Sequence, residues 1–190
     1  MYRRRVRVEE LLPGFRPENS LEAAAIGDPQ LVRGLAWGKP RDGHPEGSVA
    51  RHVADLLARI ERSGEAGESR AMLRLIALVH DSFKYAVSEW RPKTGENHHA
   101  MRARRFAERL TDDERVLSVI ELHDRPYAIW RRLERTGAVN EQQFTAMMAG
   151  VTDARLFLRF VELDGSTEGK APQPRDWLRG ELSARGILAP

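Results

Sequence analysis

The sequence contains no cysteine. This absence excludes disulfide bonds and thiolate metal sites together, so a metal site in this protein must use histidine, aspartate or glutamate side chains. No apolar run approaches the roughly 20 residues that span a bilayer. The basic start MYRRRVRVEELLPGF is not followed by the apolar stretch and cleavage site of a secretory signal. We therefore expect a cytoplasmic protein with no membrane partner.

The sequence also lacks a large excess of charge of one sign. Its 31 basic and 28 acidic residues give a formal net charge of +3, which favours anionic ligands only weakly. The arginines are scattered through most predicted helices, which indicates solvated helix faces and no clear nucleic-acid surface. Because no coiled-coil repeat is present, the sequence makes no prediction about the oligomeric state.

The apolar residues follow a helical spacing from Gly47 onward, and strand-like alternation is absent. A chain of 190 residues suits one ordinary domain. We therefore predict an all-α, single-domain helical bundle. Residues 1–45 are predicted to be an N-terminal lead-in packed on the main domain at 46–170. Pro172 and Pro174 break the chain before a short C-terminal helix within 171–190.

Several ionisable residues fall on the apolar faces of the predicted helices. His52 lies in the apolar stripe of a helix at 48–63, and His80 and Asp81 lie deep within an apolar helix at 68–88. Capping-box spacings predict that one helix begins at Thr111 and another at Asn140. Helical phase also places three further residues on inward faces: His99, His123 and Asp164.

Inward ionisable side chains need a partner, because an unpaired buried ionisable group costs several kcal/mol. A divalent cation is one such partner, since neutral imidazole nitrogen and carboxylate oxygen bind it together. The six positions therefore predict a metal centre that joins several helices.

Five stretches of the sequence resemble the HD-domain superfamily: SVARHVADLL, LVHDSFKY, ENHHAMRARRFAERL, IELHDRPY and FVELDGSTEGK. The resemblance extends over about residues 44 to 170, and the adjacent pair His80 and Asp81 is the motif that gives the superfamily its name. It implies an HD-type helical bundle. The GHPEG turn with His44 also looks similar to the family, without a role that can be assigned.

The resemblance implies which residues bind metal. By the family pattern, His52, His80, Asp81 and Asp164 are ligands of one ion. In relatives with two ions the aspartate of the pair bridges them, and His99 and His123 fill the places of the two further ligands. The ions would be divalent transition metals, with iron, manganese, zinc, cobalt and nickel all compatible with these ligands.

The family pattern also implies a reaction. Such ions acidify a bound water and polarise a phosphoryl oxygen, which implies a metal-dependent phosphohydrolase acting on a small anionic, nucleotide-like substrate. Asp81 and Lys84 are the predicted catalytic residues. Lys84, three residues after Asp81, matches a family lysine that neutralises an anionic group, and Arg125 is a weaker candidate for the same role.

Two other functions share this pattern. Some HD-domain relatives are mixed-valent di-iron oxygenases with the same six ligands and a nearby lysine. A non-catalytic nucleotide-binding module would use the metal only to hold the helices together, although such a module would be expected to lack some ligands. A one-metal site is a further alternative.

For some neighbouring residues the sequence favours a structural role over a functional one. His98 shares a helix face with Arg102 and Arg105, whereas His99 shares the inward face, so helical phase alone chooses His99. Asp124 is interpreted as an exposed helix-end residue, with a hydrogen bond to a metal ligand as the alternative. Surface or loop polarity is the preferred explanation for three more residues: Arg125, Ser166 and Lys170.

Overall fold

The computed structural model describes residues 7–40 and 47–188, and within those ranges it contains helices and no β-strand. The prediction of an all-α helical bundle is therefore confirmed. The α-helices are α1 (Val8–Leu11), α2 (Ser20–Gly27), α3 (Pro29–Leu35), α4 (Val49–Arg62), α5 (Gly67–Val79), α6 (His99–Ala107), α7 (Glu114–Leu122), α8 (Arg125–Thr136), α9 (Glu141–Gly150), α10 (Ala154–Asp164) and α11 (Gln173–Ala184). None of these helices is long and apolar enough to cross a membrane. His44 and the rest of the GHPEG turn up to Glu46 lie outside the described residues.

Helix α4 follows the predicted apolar stripe. Ser48 begins it, because its hydroxyl accepts a hydrogen bond from the backbone amide of Arg51. The inward face is buried together with His52 and consists of Val49, Val53, Leu56, Leu57 and Ile60. The sequence pattern therefore located both this helix and its inward histidine.

Helix α5 is central, but it ends earlier than the sequence predicts. It stops at Val79, with His80 at its C-cap and Asp81 in the turn that follows, so neither residue lies deep within the predicted helix at 68–88. The hydroxyl of Ser82 donates to the carbonyl of Leu78 at 2.7 Å, and the Ser82 amide donates to Val79 three residues back. The amide hydrogen bond spans three residues instead of the four of an α-helix, so the α-helical pattern ends here.

Helix α3 packs directly on this turn. A Cβ atom built on Gly34 would lie 1.6 Å from the carbonyl oxygen of Ser82. No side chain other than that of glycine fits such an approach. Leu31 and Leu35 of the same helix are fully buried. Helix α3, from the predicted lead-in, is therefore in direct contact with the turn at Ser82. The division of the chain into 1–45, 46–170 and 171–190 stays a prediction.

A buried ion pair joins α2 to α5. Glu22 is fully buried, and its two carboxylate oxygens accept hydrogen bonds from the guanidinium of Arg74 at 2.8 and 3.0 Å. The second oxygen also accepts from the backbone amide of Glu18 at 2.9 Å. Three protein donors therefore replace the water that a buried carboxylate has lost.

Helix α7 begins two residues later than its predicted capping box. Asp113 is the N-cap, and its carboxylate accepts from the amide of Arg115 at 2.9 Å. Thr111 instead accepts from the amide of Asp113 at 3.1 Å, one turn before the helix. The predicted start at Thr111 is wrong because an aspartate nearer to the helix provides a charged acceptor.

The C-terminal third contains one helix that the sequence pattern did not predict, α8, which has Pro126 in its first turn. The predicted helix start at Asn140 is confirmed, because its side chain accepts from the amide of Gln143. Helix α11 packs against α8 and α10 and buries Leu178 and Leu182 completely.

Candidate metal centre

The six residues predicted as metal ligands meet at the ends and faces of five helices. His52 lies within α4, His80 and Asp81 follow α5, and His99 is the first residue of α6. His123 is the C-cap of α7, and Asp164 is the last residue of α10. The structure therefore brings all six together, from positions up to 112 residues apart in the sequence.

Four of the residues surround a first candidate metal position. The Nε2 atom of His52 lies 3.2 Å from Nε2 of His80 and 2.9 Å from Oδ1 of Asp164. Nε2 of His80 lies 3.6 Å from Oδ2 of Asp81. Ligand atoms that are each about 2.1 Å from one ion lie roughly 3 to 4 Å apart. These donors therefore have the spacing that one bound cation requires.

The other oxygen of Asp81 faces a second candidate position. Its Oδ1 atom lies 3.4 Å from Nε2 of His99 and 3.6 Å from Nε2 of His123. Both Asp81 Oδ1 and His99 Nε2 are buried without a hydrogen-bond partner. Unpartnered buried polar atoms are unfavourable, and a cation between them would satisfy both. These three residues form a group that could hold a metal ion, and so do His52, His80 and Asp81 of the first position.

The backbone fixes the orientation of two of the imidazoles. Nδ1 of His80 lies 3.0 Å from the carbonyl of Ala77, and Nδ1 of His123 lies 2.9 Å from the carbonyl of Ile120. A carbonyl accepts only from a proton-bearing nitrogen, so in the neutral form of each ring Nδ1 carries the hydrogen and Nε2 has the lone pair. Both lone pairs are directed toward the cluster, which is how histidine ligands are commonly oriented.

The two adjacent histidines of α6 have different surroundings. Nδ1 of His98 accepts from the amide of Ala100 and caps the helix, so its Nε2 carries a proton and donates to Asp124 at 3.3 Å. His98, His99 and Asp124 also lie close enough together to hold a metal ion. In this arrangement, however, His98 offers no lone pair, whereas Nε2 of His99 faces Asp81. Asp124 is paired with His98 and is not the exposed helix-end residue that the sequence suggests.

We expect the variants His98→Ala and His99→Ala to differ in bound metal. Removing His99 should lower the metal content by one equivalent, since its Nε2 faces the second position. Removing His98 should leave the metal content unchanged and lower the free energy of unfolding by about 1 kcal/mol, as expected for a lost N-cap. Elemental analysis and urea denaturation of both variants measure these effects. Loss of metal in the His98 variant alone would contradict the assignment.

Burial and nearby charges set the protonation of the cluster. Burial lowers the pKa of His80 to about 3 and also lowers the pKa of His99. Burial by itself would raise the pKa of Asp81, but Lys84 and His80 hold it well below its ordinary value. Lys170 and His52 have the same effect on the pKa of Asp164. Burial by itself would lower the pKa of His123, but Asp81 and Asp124 raise it above its ordinary value. Neutral imidazoles and ionised carboxylates are the forms that bind a metal cation, so metal binding at His123 would release a proton from any protonated ring.

Acidification is expected to destabilise the metal-free protein. His80 has an ordinary pKa of 6.5 when unfolded and a pKa of about 3 when folded, so the unfolded chain binds a proton first. A lowered folded pKa gives stability that is complete above the ordinary pKa and is lost as the pH falls. The free energy of unfolding should therefore decrease from pH 6.5 toward about pH 4, by at most about 1.4 kcal/mol per pH unit for each such histidine.

Urea denaturation with a chelator present, at a series of pH values, measures this dependence. The aspartates Asp81 and Asp164 contribute only near and below their ordinary pKa of 3.8, so they do not obscure the upper part of the range. A constant free energy of unfolding between pH 6.5 and about pH 5 would show that His80 is not a buried neutral imidazole.

Two lysines contact the carboxylates of the cluster. Nζ of Lys84 lies 2.5 Å from Oδ2 of Asp81, and Nζ of Lys170 lies 2.8 Å from both oxygens of Asp164. Lys170 is therefore paired with a candidate ligand, a contact that loop polarity alone does not predict. Ser166 and Arg125 do not share this contact with a candidate ligand. The hydroxyl of Ser166 donates to the carbonyl of Glu162, and Arg125 is exposed.

Comparison with known proteins agrees with this geometry. A family model described as HD domain matches residues 49–148, which is more than half of the chain. The match includes five of the six candidate ligands. Asp164 lies beyond the match. No curated protein and no solved structure matches the chain. HD domains form a superfamily of metal-dependent hydrolases, and the clustered histidines and aspartates could bind metal. By this match, and by the buried His80 and Asp81 pair at its centre, the chain belongs to the HD-domain family.

Proposed function

We propose that this protein is a metal-dependent phosphohydrolase that cleaves a phosphate ester or anhydride of a nucleotide-like substrate. The observation that carries the proposal is the position of Asp81 between two groups of imidazoles. Its Oδ2 faces His52 and His80, and its Oδ1 faces His99 and His123. With one oxygen toward each group, Asp81 would be a ligand in both, and a centre with two divalent ions would supply hydrolytic chemistry.

His52, His80, Asp81 and Asp164 would hold one ion, and Asp81, His99 and His123 would hold the other. Iron, manganese, zinc, cobalt and nickel all accept nitrogen and oxygen ligands of this kind. Divalent ions bound at such a centre supply Lewis acidity and an acidified water. The side chains of the protein would orient the ligands and stabilise the charge of the substrate.

The surrounding residues keep the candidate ligands in place. Phe160 is fully buried, and its ring packs edge-on against His80 at 5.2 Å and against His123 at 6.2 Å between centroids. These contacts, together with the backbone hydrogen bonds of the two rings, restrict their rotation. A bound ion therefore meets ligands that are already oriented, which lowers the entropy lost on binding.

Lys84 is placed to act on the substrate. Its ammonium contacts Asp81, and 22% of its side chain is exposed, so it lies where the buried cluster meets solvent. A charge-assisted hydrogen bond from this ammonium can stabilise the negative charge that develops on a phosphoryl oxygen. We therefore assign Lys84 to binding and charge stabilisation at the phosphate.

Metal analysis combined with a substrate panel tests this function. The panel consists of nucleoside monophosphates, cyclic dinucleotides and dinucleoside polyphosphates, assayed for phosphate or nucleotide release with and without oxygen. We expect two equivalents of metal and turnover of at least one substrate under both conditions. Turnover that requires oxygen would indicate the di-iron oxygenase instead. Failure on every phosphate compound would contradict the proposal, and metal binding without turnover would indicate the non-catalytic module.

A further inference from the structure

Lysine is rare in this chain and is concentrated at the candidate centre. Only four of the 31 basic residues are lysines: Lys39, Lys84, Lys93 and Lys170. Arginine pairs with the carboxylates elsewhere in the described residues, for example with Glu22 and Glu114. The two carboxylates of the cluster are each paired with lysine instead. Lysine has a compact charge with three freely directed donors, which suits a change of hydrogen-bond partner.

The loop that carries Lys170 is fixed by its own hydrogen bonds. Thr167 is buried, and its hydroxyl donates to the carbonyl of Asp164 at 2.7 Å. The amide of Glu168 donates to the carboxylate of Asp55 at 3.3 Å, one helical turn after His52 in α4. The loop is therefore attached to the helix that supplies a candidate ligand, and Lys170 is held beside Asp164.

The ammonium groups of Lys84 and Lys170 contact carboxylate oxygens that both face the first candidate metal position. Lys84 contacts Oδ2 of Asp81, and Lys170 contacts Oδ1 of Asp164. Both of these oxygens face the imidazoles of His52 and His80 at the first candidate position. Both lysine side chains are also partly exposed, at 22% and 24%. Two cationic groups that solvent can reach thus border one metal position.

We propose that Lys170 joins Lys84 in binding the terminal phosphate of the substrate, and that this second lysine makes the site select a phosphate group with two negative charges. The proposal rests on the function proposed above. In the metal-free protein the two ammonium groups neutralise the two carboxylates. With a cation held by the same carboxylates, the ammonium groups of Lys84 and Lys170 would no longer be needed to neutralise them and could donate to an incoming anion. A monoester or terminal phosphate then matches the two lysines, whereas a diester with one charge does not.

Phosphate binding to the metal-loaded protein tests the role of Lys170. Calorimetry with inorganic phosphate should show about tenfold weaker binding for Lys170→Gln. Lys170→Arg should retain most of the affinity, and Lys93→Gln, at an exposed loop lysine, is the matched control. Dimethyl phosphate carries a single charge. The change Lys170→Gln should therefore weaken its binding much less than it weakens the binding of inorganic phosphate. Unchanged phosphate binding in Lys170→Gln would overturn the proposal. Loss of metal in that variant would overturn it too, because Lys170 would then only position Asp164.

Lysine modification gives a second readout that does not depend on turnover. Reductive methylation followed by mass spectrometry reports separately on each of the four lysines. Adding phosphate to the metal-loaded protein should slow modification of Lys84 and Lys170 and leave Lys39 and Lys93 unaffected. Equal modification of Lys170 with and without phosphate would refute the proposal. Protection without hydrolysis of any substrate would instead refute the proposed hydrolase and leave the anion site intact.

Discussion

Replacing Asp81 by Asn is expected to lower turnover by about a thousandfold or more and to reduce bound metal from two equivalents to one or none. The carboxylate faces both candidate positions, whereas an amide has a single oxygen and carries no charge. The substitution also leaves the ammonium of Lys84 without its carboxylate partner. Elemental analysis and steady-state phosphate release measure the two effects on one preparation.

Asp112→Asn is the matched control for this experiment. Asp112 is exposed and precedes α7, so the same chemical change there should leave metal content and turnover unaltered. Circular dichroism should show that the helical structure of Asp81→Asn is retained. If Asp81→Asn kept both equivalents of metal, Asp81 would not bridge two ions, and the proposed centre would be wrong.

The second large effect is expected on stability, at the buried ion pair between α2 and α5. Glu22→Ala should lower the free energy of unfolding by about 3 to 5 kcal/mol, because it leaves a buried guanidinium without its main partner. Arg74 is only 5% exposed. Its other carboxylate partners, Glu18 and Glu61, have side chains that are 44% exposed and are therefore screened by water. Urea denaturation of the metal-free protein measures the change.

Two further variants separate lost charge from lost packing at this pair. Glu18→Ala should change the free energy of unfolding by less than about 1 kcal/mol, as expected for an exposed ion pair. The double variant Glu22→Leu with Arg74→Met should recover much of the stability, because no buried charge then remains. If the double variant were no more stable than Glu22→Ala, the loss would come from packing and not from an uncompensated guanidinium.

Some of the candidate ligands could be found from the sequence because they interrupt an apolar helix face, whereas His80 and Asp81 follow the end of α5. His52 illustrates this, since it lies three residues after Val49 and four before Leu56 on one side of α4. The HD motif and its spacing then supplied the order of the ligands. Helical periodicity shows only which residues face inward. It therefore identified His99 and His123 as well, but it gave no distances between the candidate ligands.

The ends of the helices could not be predicted in the same way. Helix α5 is apolar on most sides, so its periodicity does not show that the helix stops at Val79, and the stop depends on local hydrogen bonds of Ser82. The start of α7 depended on a choice between Thr111 and Asp113, both of which are good caps. Propensity and spacing alone do not resolve such local competition.

The contact between Lys170 and Asp164 could not be predicted from the sequence. Lys170 lies six residues after Asp164 in a loop, where no helical phase fixes its direction. Its contact depends on the loop hydrogen bond to Asp55, which is 113 residues away from Glu168 in the chain. The scarcity of lysine in the sequence was the one available signal, because two of the four lysines follow candidate aspartates by three and six residues.

The approach of α3 to the turn at Ser82 has a practical consequence for transplanting this domain. The region that matches the family, residues 49–148, excludes Gly34 as well as Asp164. A fragment cut at those limits would expose the backbone that follows Asp81 and would lose one carboxylate of the first position. Chimeras that exchange this domain between proteins should therefore extend from α2 to at least Lys170, and Gly34 should be kept unchanged.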